Sequence, residues 1–465
     1  MTEVTGKRIV VVGLGRSGQA LAQFLIRRGA LVVVTDQKSE VAFEPSQLEA
    51  LRRLGVQLEL GGHRMETLLS ADMILLSPGV PPGIEPIRRA RDAGIPLLGE
   101  VEWAWRFLKG RMVGVTGSNG KTTVTSLIGA ILSQAGFDTL VGGNIGLPLT
   151  ALIDRATDES VLVVELSSFQ LETAETLRPH VAVMTNISPD HLDRHGSLSA
   201  YINAKRRIFL NQTRDDWAVL NADDPIVLKM MYDTQAQPIV FSRRRELDEG
   251  VFLMDERLVY RFGGQQHEVM KVKEIPLRGW HNVENVMAAV AASMVMGAPV
   301  EMVRQAVLKF PGVPHRLEWV GEVDGVMYYN DSKATNVDSA VKALEAFTEP
   351  LVVIMGGRSK GSSYEPLRPL VQARVKHLLL LGEAAPEMAT ALAGTAPLTL
   401  VGSMAEAVEQ AHRLAQPGDV VLLAPACASF DMFENFEHRG DVFKEQVRRL
   451  KVLGPSSSRL DLRIE

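Results

Sequence analysis

Short apolar runs rich in Val, Ile and Leu recur along most of this 465-residue chain, with segments of helical periodicity between them. The runs are continuous rather than alternating, which is typical of strands that are buried on both faces. Such strands occur in parallel sheets covered by helices, so we predict the α/β class. The strands are expected at Arg8–Gly13, Leu31–Thr35, Met73–Leu76, Met112–Thr116, Val161–Leu166, Val181–Thr185, Leu351–Met355, His377–Leu381 and Val420–Leu423.

The spacing of these runs divides the chain into three series of strands and helices. At about 150 residues per domain, 465 residues also correspond to about three domains. We predict the domains 1–99, 100–310 and 311–465. The second boundary falls in Phe310–Pro314, where two prolines and a glycine end any helix. Residues Val251–Ile275 alternate apolar and polar side chains around Gly263-Gly264, which predicts a small antiparallel hairpin beside the second parallel sheet.

Composition and charge exclude several classes of function. Hydrophobic residues make up 46% of the chain and the net charge is −5, so neither a phosphate-backbone binder nor a polybasic membrane patch is implied. The single cysteine, Cys427, excludes an internal disulfide and a cysteine-based metal site, and it suits a reducing cytosol. The uncharged, largely apolar stretch Val286–Val300 is too short and too rich in Ala to span a bilayer.

The start of the chain supports the same expectation of a protein in a reducing cytosol. Met1-Thr2-Glu3 carries an early acid and shows no secretory signal, and the tail Gly454-Pro455-Ser456-Ser457-Ser458 is expected to be frayed. We therefore expect a cytoplasmic protein whose partners are small molecules, with no nucleic-acid partner and no membrane association.

A first glycine-rich loop, Gly13-Leu14-Gly15-Arg16-Ser17-Gly18, follows the first predicted strand, and Asp36 ends the next strand. Glycines let the backbone approach a diphosphate, which would sit at the N-terminus of the helix expected to begin near Gln19. The pattern by itself leaves two readings open, a dinucleotide site and a tight strand–helix turn. It favours a ligand that carries a diphosphate.

A second glycine-rich loop, Thr116-Gly117-Ser118-Asn119-Gly120-Lys121-Thr122-Thr123, follows the strand Met112–Thr116. Its amides can cradle phosphates, Lys121 supplies a charge to the β- and γ-phosphates, and the Thr122 hydroxyl can bind Mg²⁺. Val115 stands where the common P-loop has its first glycine, so the match to that general pattern is imperfect. The strand–loop–helix context still predicts a nucleotide site. The helix that follows should bury Val124, Leu127, Ile128, Ile131 and Leu132 on one face.

Polar residues follow two further strands, where ligands bind in open α/β sheets. Glu165-Leu166-Ser167-Ser168-Phe169-Gln170 follows one strand, and Asn186-Ile187-Ser188-Pro189-Asp190-His191-Leu192-Asp193 follows another. Glu165 and His191 could hold a metal or position phosphates. The plainer alternative is that Glu165 caps a helix and His191 makes a loop hydrogen bond.

These motifs, taken in order, resemble the Mur ligase family, whose members add amino acids to the peptidoglycan precursor. The resemblance extends over all three series and includes the variant P-loop. Its C-terminal part is most similar to the branch that adds D-glutamate to UDP-N-acetylmuramoyl-L-alanine. Beyond the P-loop and the Glu165 and Asn186 segments, it rests on His281-Asn282-Val283-Glu284-Asn285, Pro314-His315-Arg316, Asn330-Asp331-Ser332-Lys333-Ala334-Thr335, Ala424-Pro425-Ala426-Cys427-Ala428-Ser429-Phe430-Asp431 and Asn435-Phe436-Glu437-His438-Arg439-Gly440.

The resemblance implies ATP-dependent amide formation through an acyl phosphate and a tetrahedral intermediate, with release of ADP and phosphate. It implies an N-terminal Rossmann-like domain, a central P-loop ATPase-like domain and a C-terminal Rossmann-like domain. It also implies ATP, Mg²⁺ at two sites with Mn²⁺ as an alternative, and a monomer.

The resemblance assigns residues to ATP and metal. Lys121, Glu165, His191 and Lys205 would be catalytic, with Thr122, Glu165, His191 and a carbamylated Lys205 as metal ligands. ATP would be bound by Gly117, Ser118, Asn119, Gly120, Lys121, Thr122, Thr123, Asn282, Asn285, Arg316, Asp331 and Lys333.

The resemblance also assigns residues to the two other substrates. The UDP moiety would contact Ser17, Asp36 and Gly79, and the muramoyl part would contact Asn144, Ser167 and Gln170. His191 would also bind substrate, in addition to its metal role. D-Glutamate would contact Thr335, Lys360, Ser429 and Phe436. Lys360 lies in Gly356-Gly357-Arg358-Ser359-Lys360-Gly361, a strand-end loop that suits an anion but could also be a plain turn.

Three other interpretations compete with this one. An NAD(P)-dependent dehydrogenase would use the first glycine loop and Asp36, but it leaves Lys121 and the cluster Asp331–Thr335 without a role. A regulatory P-loop NTPase would hydrolyse ATP without regard to any amino acid. Another Mur-type ligase, or an enzyme resembling folylpolyglutamate synthase, would differ mainly at Lys360, Ser429 and Phe436.

Overall fold

The computed structural model describes residues 4–453, except for the side chains of Asp193 and residues 451–453. The expectations for Met1-Thr2-Glu3 and for the tail Gly454–Ser458 lie outside the described residues. The fold is α/β, as predicted, with an N-terminal, a central and a C-terminal sheet. All nine predicted strands are present, with bounds that differ by at most a few residues.

The chain divides into two compact units. The first contains the N-terminal and central sheets and comprises the chain up to Ile275 together with Glu284–Phe310. The second contains the C-terminal sheet and comprises Pro276–Val283 with the chain from Pro311 onward. The domain bounds 1–99, 100–310 and 311–465 remain predictions.

The N-terminal sheet is parallel throughout, with strand order β3-β2-β1-β4-β5. Its strands are β1 (Arg8–Val12), β2 (Leu31–Asp36), β3 (Gln57–Leu60), β4 (Met73–Leu76) and β5 (Leu97–Gly99). Its helices are α1 (Arg16–Arg27), α2 (Pro45–Arg53), α3 (Met65–Leu69) and α4 (Glu85–Asp92), and α5 (Glu100–Trp105) leads out of it.

The central strand β1 explains why its sequence is apolar without alternation. Ile9 and Val11 pack into one core with Leu21 of α1, whereas Val10 and Val12 pack into a second core on the opposite face of the sheet. Both faces of β1 are therefore buried, as the continuous apolar run predicts.

The central sheet has nine strands in the order β14-β13-β12-β11-β10-β9-β6-β8-β7. They are β6 (Arg111–Thr116), β7 (Thr139–Gly143), β8 (Val161–Glu165), β9 (Val181–Met184), β10 (Trp217–Asn221), β11 (Gln237–Ser242), β12 (Gly250–Met254), β13 (Arg257–Phe262) and β14 (Gln265–Lys271). Strands β12, β13 and β14 pair antiparallel, which confirms the predicted hairpin and extends it by one strand.

The helices around the central sheet include the one predicted after the second glycine loop. They are α6 (Lys121–Gln134), α7 (Ser168–Leu171), α8 (Leu192–His195), α9 (Leu198–Arg206), α10 (Pro225–Lys229), α11 (Trp280–Val295) and α12 (Val300–Lys309). The five apolar residues expected on one face of α6 are all fully buried. Among residues 4–453, no helix has the length and apolar character needed to cross a membrane.

The C-terminal sheet has six strands in the order β15-β16-β20-β17-β18-β19, and only β15 pairs antiparallel. They are β15 (Glu318–Val323), β16 (Val326–Asn330), β17 (Leu351–Gly356), β18 (Val375–Leu381), β19 (Leu398–Leu400) and β20 (Val420–Ala426). The helices are α13 (Val337–Glu345), α14 (Arg368–Arg374), α15 (Ala385–Ala391), α16 (Met404–Leu414) and α17 (Phe436–Leu453).

A buried carboxylate fastens α5 to the loop before β9. The Glu102 side chain is fully buried, and one of its oxygens accepts hydrogen bonds from the backbone amides of Glu175, Thr176 and Leu177 at 2.9–3.2 Å. The other oxygen accepts from the Thr176 hydroxyl and from Arg106. Burial by itself raises the pKa of Glu102, but these hydrogen bonds outweigh it and hold the pKa below the usual value.

We predict that Glu102→Ala lowers the free energy of unfolding by about 3 kcal/mol or more, because it leaves buried amides without an acceptor. The folded pKa lies below the unfolded value of 4.5, so the carboxylate contributes fully above that pH and loses its effect as the pH falls. Urea unfolding at several pH values checks this. The Glu175→Ala control removes an exposed acid beside the same Arg106 and should change stability little; equal losses in both variants would contradict the prediction.

Candidate active site

The first glycine loop has the predicted form but ends earlier than expected. Helix α1 begins at Arg16 rather than near Gln19, so the last residues of the motif form its first turn. Gly18 permits this, because a Cβ there would lie 1.9 Å from the Gly13 carbonyl oxygen. Gly13 has a φ of +95°, and a Cβ there would meet Ser77 and Val80 at 2.9 Å. The loop therefore packs against the segment that follows β4.

A cavity of about 610 Å³ opens beside this loop. Five of the six residues predicted to contact the UDP and muramoyl parts line it, namely Ser17, Asp36, Gly79, Asn144 and Gln170. Ser167 is not among the lining residues. Its hydroxyl instead caps α7 in a reciprocal arrangement with Gln170.

The cavity is also lined by basic residues to which the sequence analysis gave no role. Arg16 and Lys38 line it, and so does His63, whose pKa is lowered by burial against the opposing effect of Asp36. The Asp36 carboxylate accepts hydrogen bonds from the amides of Leu14 and Lys38 at 2.7 and 2.8 Å. Asp36 thus holds the glycine loop in shape as well as facing the cavity.

The second glycine loop joins β6 to α6 in a backbone conformation that only glycine allows at two positions. Gly117 has a φ of +146°, and a Cβ there would lie 1.9 Å from the Thr185 hydroxyl. Gly120 has a φ of +83°, and a Cβ there would lie 2.2 Å from the Asn285 side-chain oxygen. Asn285 of α11 therefore lies directly against the phosphate loop, and both residues belong to the first unit.

The loop is held by polar groups at the end of β9. The Thr185 hydroxyl donates to the Asn119 carbonyl at 2.6 Å, and the Asn186 side chain accepts from the Asn119 amide at 2.9 Å. The Ser118 hydroxyl bonds to Ser188 and lies 3.0 Å from the Tyr201 hydroxyl. These contacts fix the loop before any ligand binds.

Two lysines approach this loop. Lys121 donates to the carbonyls of Gly117 and Ser118 at 3.0 and 2.9 Å, and Lys205 of α9 donates to the Gly117 carbonyl at 2.7 Å. Lys205 is fully buried with its ammonium group above the Tyr201 ring. Burial, together with the charge of Lys121, lowers the pKa of Lys205 well below its usual value, against the effects of Asp190 and Glu165.

Glu165 presents one carboxylate oxygen that no described residue satisfies. The side chain is buried at the end of β8, and one oxygen accepts a hydrogen bond from the Asn144 side chain at 2.8 Å. Its Oε2 is buried and has no hydrogen-bond partner among the described residues. A buried, unsatisfied carboxylate oxygen fits a hard cation such as Mg²⁺.

His191 lies near one carboxylate and one aromatic ring. Its side chain is half exposed, 3.6 Å from the Asp190 carboxylate and against the Phe169 ring. Its backbone has a φ of +51°, an uncommon conformation for a residue with a side chain. Within the described part of the chain, no group of three His, Cys, Asp or Glu residues could hold a metal. The predicted ligand set also counts Thr122 and a carbamylated Lys205, and it stays a prediction.

The second unit carries the remaining residues predicted to bind ATP. Asn282 donates to the Arg278 carbonyl at 2.7 Å, and both Asn282 and Arg316 line a crevice of about 310 Å³. Asp331 follows β16 and accepts from the Leu317 amide at 3.2 Å. Burial raises the pKa of Asp331 to about 7, although Arg316 and the Leu317 amide oppose the shift.

Of the residues predicted to bind D-glutamate, Thr335, Lys360 and Ser429 lie in loops that follow strands of the C-terminal sheet, and Phe436 begins α17. Lys360 follows β17, and its loop pairs through Arg358 with Ala428, the neighbour of Ser429. The Lys333 ammonium group lies 3.6 Å from the Phe436 ring centroid at the start of α17. Thr335 follows Lys333, and its amide donates to the Lys333 carbonyl at 2.7 Å.

A buried arginine that the sequence left without a role joins these loops. Arg439 of α17 is almost completely buried and donates to Ser332 and to the carbonyls of Cys427 and Ala428. Burial lowers the pKa of Arg439 to about 10. Cys427 is buried beside Tyr364, and burial raises the pKa of its thiol, so this side chain serves as a packing residue.

Tyr201 and Thr185 are further residues that sequence reasoning missed. Tyr201 precedes Lys205 by four positions, so the helical spacing places both on one face of α9, and this signal could have indicated it. Thr185 stands at a strand end, but its contact with Gly117 depends on the neighbouring strands β6 and β9.

Comparison with known proteins agrees with the order of these motifs. Family models match three segments: a Mur ligase MurD-like N-terminal domain over residues 7–99, a Mur ligase middle domain over 115–293 and a Mur ligase glutamate ligase domain over 315–427. A UDP-N-acetylmuramoylalanine–D-glutamate ligase from Acidobacterium capsulatum is 50% identical, covering 96% of this chain and 97% of the relative.

Two other matches cover almost the whole chain. An enzyme of the same name from Pelotomaculum thermopropionicum is 47% identical, covering 97% of this chain and 99% of the relative. The crystal structure of a UDP-N-acetylmuramate–alanine ligase from Thermotoga maritima is similar in fold, with a TM-score of 0.61 at 20% identity, covering 95% of this chain and 99% of that chain.

We predict that Asp331→Asn stabilises the ligand-free protein above neutral pH, because the ionised wild-type carboxylate is buried. The folded pKa of about 7 exceeds the ordinary 3.8, so the free energy of unfolding of the wild type falls as the pH rises between those values. Melting temperatures from pH 5 to pH 8 should show the variant gaining on the wild type. The Asp338→Asn control changes a half-exposed acid of α13 and should show no such trend. A constant difference across the range for Asp331→Asn would contradict the assigned burial cost.

Proposed function

Because the chain belongs to the Mur ligase family, we propose that it is an ATP-dependent ligase that joins D-glutamate to UDP-N-acetylmuramoyl-L-alanine. The name and near-complete coverage of the curated relatives support this substrate pair. The observation that carries the proposal is the position of Asn144. It lines the large cavity of the first unit and also bonds Glu165 at 2.8 Å, so the precursor would end beside the phosphate loop.

The proposed reaction has two steps. A carboxylate oxygen of the precursor attacks the γ-phosphorus of ATP, ADP departs, and an acyl phosphate forms. The amine of D-glutamate then attacks the acyl carbon, loses a proton, and expels phosphate from a tetrahedral intermediate. The chemistry depends on holding and neutralising phosphoryl oxygens rather than on a nucleophilic side chain.

In this proposal, the phosphate loop Gly117–Thr123 surrounds the phosphates with backbone amides. Lys121 now bonds to the carbonyls of its own loop, and its ammonium group is placed to exchange them for phosphate oxygens. Asn285 packs against the loop, and Asn282, Arg316, Asp331 and Lys333 of the second unit are assigned to the adenosine and phosphate groups of ATP.

The residues fit Mg²⁺, with the unsatisfied Oε2 of Glu165 as the supporting observation. Glu165, the Thr122 hydroxyl, His191 and a carbamylated Lys205 would hold it at two sites, and Mn²⁺ could replace it. Bound Mg²⁺ would neutralise charge on the phosphoryl oxygens. Asn144 orients Glu165 by donating to its other oxygen.

Lys205 meets the chemical requirement for carbamylation. A neutral amine attacks carbon dioxide and releases a proton, which yields an anionic carbamate. Burial and Lys121 depress the pKa of Lys205, so its neutral form is more accessible than that of an exposed lysine. The carbamate would also be placed beside Lys121, whose positive charge would stabilise it.

For the amino-acid substrate, we assign Thr335, Lys360, Ser429 and Phe436 to D-glutamate. Lys360 supplies the cation that a dicarboxylate requires, and Arg439 holds the loops that carry Ser429 and Ser332. The enzyme is further proposed to act as a monomer in the cytoplasm, where ATP and the nucleotide precursor are available.

We predict that phosphate release from ATP requires both UDP-N-acetylmuramoyl-L-alanine and D-glutamate, since the acyl phosphate turns over only when an amine accepts it. A coupled phosphate assay with each component omitted in turn checks this. If L-lysine, diaminopimelate or D-alanyl-D-alanine replaced D-glutamate equally well, the substrate assignment would be wrong and the reaction class would remain. ATP hydrolysis independent of any amino acid would favour a regulatory NTPase.

We predict that Lys205→Ala reduces kcat by about 100-fold or more while ATP still binds, because the lysine orders metal and phosphate rather than the nucleotide base. Steady-state kinetics and titration of ATP by calorimetry separate the two effects. The Lys109→Ala control removes an exposed lysine that pairs with Asp158, and it should leave both quantities unchanged. Unaltered kinetics in Lys205→Ala would remove the metal-site role.

A further inference from the structure

Two loops of the first unit meet through one arginine. The segment Ser77–Val80 after β4, here called the precursor loop, lines the large cavity. The segment Asp190–His195, here called the histidine loop, carries His191 and the short helix α8. Arg194 of the histidine loop donates to the carbonyls of Gly79 and Val80 at 3.3 Å each.

The precursor loop in turn supports the first glycine loop. The Ser77 hydroxyl donates to the Gly13 carbonyl at 2.8 Å, and Gly13 has room for no side chain because Ser77 and Val80 lie against it. A displacement of Gly79 and Val80 would therefore reach the loop that faces the diphosphate. Arg194 is thereby linked to the first glycine loop through backbone contacts.

Arg194 is itself fixed from the other side. Its guanidinium group donates to Glu172 at 3.0 Å and lies over the Phe169 ring, 4.6 Å from the centroid. The second oxygen of Glu172 lies 3.2 Å from Nδ1 of His195, and Nε2 of His195 lies 3.0 Å from the Ser168 hydroxyl. Two side chains of α8, those of Arg194 and His195, are thus anchored to residues of the segment 168–172.

These contacts differ from the surface ion pairs of the chain. The side chains of Arg194 and Glu172 are 14% and 19% exposed, whereas those of Arg257 and Glu268 are 47% and 45% exposed. Water and salt screen exposed pairs, so those contribute little, while a shielded and multiply bonded arginine fixes geometry.

The anchored helix also holds His191 in its uncommon conformation. The His191 carbonyl accepts from the amides of Arg194 and His195 at 3.1 and 3.0 Å, and its ring packs on the same Phe169 that Arg194 covers. A left-handed conformation at a residue with a side chain costs of the order of 1 kcal/mol or more and persists where its surroundings impose it. Arg194 is part of those surroundings.

We propose that Arg194 is a positioning residue that couples occupation of the precursor cavity to the placement of His191 at the metal site. The inference rests on the proposed function, because it takes the cavity as the precursor site and His191 as a metal ligand. Precursor that presses on Gly79 and Val80 stabilises the Arg194 contacts and with them the histidine loop. Metal and precursor then bind with positive cooperativity, in both directions.

The test compares Arg194→Met with Arg194→Lys and with Arg257→Met as the matched control. Methionine keeps the apolar stem over Phe169 and removes the donors, lysine keeps a charge and part of the bonding, and Arg257 is an exposed arginine with one ion pair. Mn²⁺ affinity is measured by electron paramagnetic resonance with and without UDP-N-acetylmuramoyl-L-alanine, and the ratio of the two affinities is the readout. Calorimetry gives precursor affinity without metal.

In the wild type and in Arg257→Met, precursor should tighten Mn²⁺ binding. In Arg194→Met that ratio should approach one. The KM for precursor should rise and kcat should fall, so that kcat/KM for precursor falls by about 10- to 100-fold. The KM for ATP should stay unchanged. Arg194→Lys should recover part of the ratio. Because the ratio is internal to each variant, a general loss of stability does not imitate its disappearance.

Two results would overturn the inference: a wild-type ratio of one, or a wild-type ratio retained in Arg194→Met. If Arg194→Met does not fold, the same ratio in Arg194→Lys decides, and an undiminished value there counts against the coupling. A wild type that releases no phosphate with precursor and D-glutamate would instead contradict the proposed function. The two failures are therefore distinguishable.

Discussion

The constraint that organises this protein is the polarity of parallel strands, which deliver all their carboxyl ends to one edge of a sheet. In the N-terminal sheet, that edge brings the Gly13 loop, Asp36 and Ser77 to one cavity. In the central sheet, it places the phosphate loop after β6 beside Glu165 of β8 and Thr185 after β9. Residues far apart in sequence become neighbours because neighbouring strands end together.

Each unit buries ionisable groups whose charged forms the ligand-free protein stabilises poorly. Lys205 and Asp331 are buried, and burial lowers the pKa of Lys205 and raises that of Asp331, which favours the neutral form of each. Glu165 keeps an unsatisfied oxygen among the described residues. Such groups lower the stability of the free fold, and they are typical of sites whose ligands complete the missing interactions. By contrast, Glu102 is buried with its hydrogen bonds complete and serves the structure alone.

Sequence reasoning identified the elements with the strongest local signals. Continuous apolar runs located the strands buried on both faces, such as β1 and β6, but not short edge strands such as β3, whose residues are partly exposed. Glycines that must adopt a positive φ located the phosphate loop. Lys205 carries no local signal, since a lysine on a helix is ordinary, and it was assigned only through resemblance to a family. Arg194 was missed because its partners lie in other segments, whereas Tyr201 was missed although its spacing from Lys205 is a local signal.

The amino-acid sequence alone determined the α/β class, the two glycine loops and the polar residues at strand ends, because backbone sterics and the burial of both strand faces act over short stretches of chain. The tertiary structure decided which of those residues share a cavity, which side chains are buried, and how Arg194 links two loops. It also showed that Asn282 and Asn285, on one helix, belong to different compact units. These properties depend on which strands become neighbours, and hydrogen bonding and desolvation between distant segments set them.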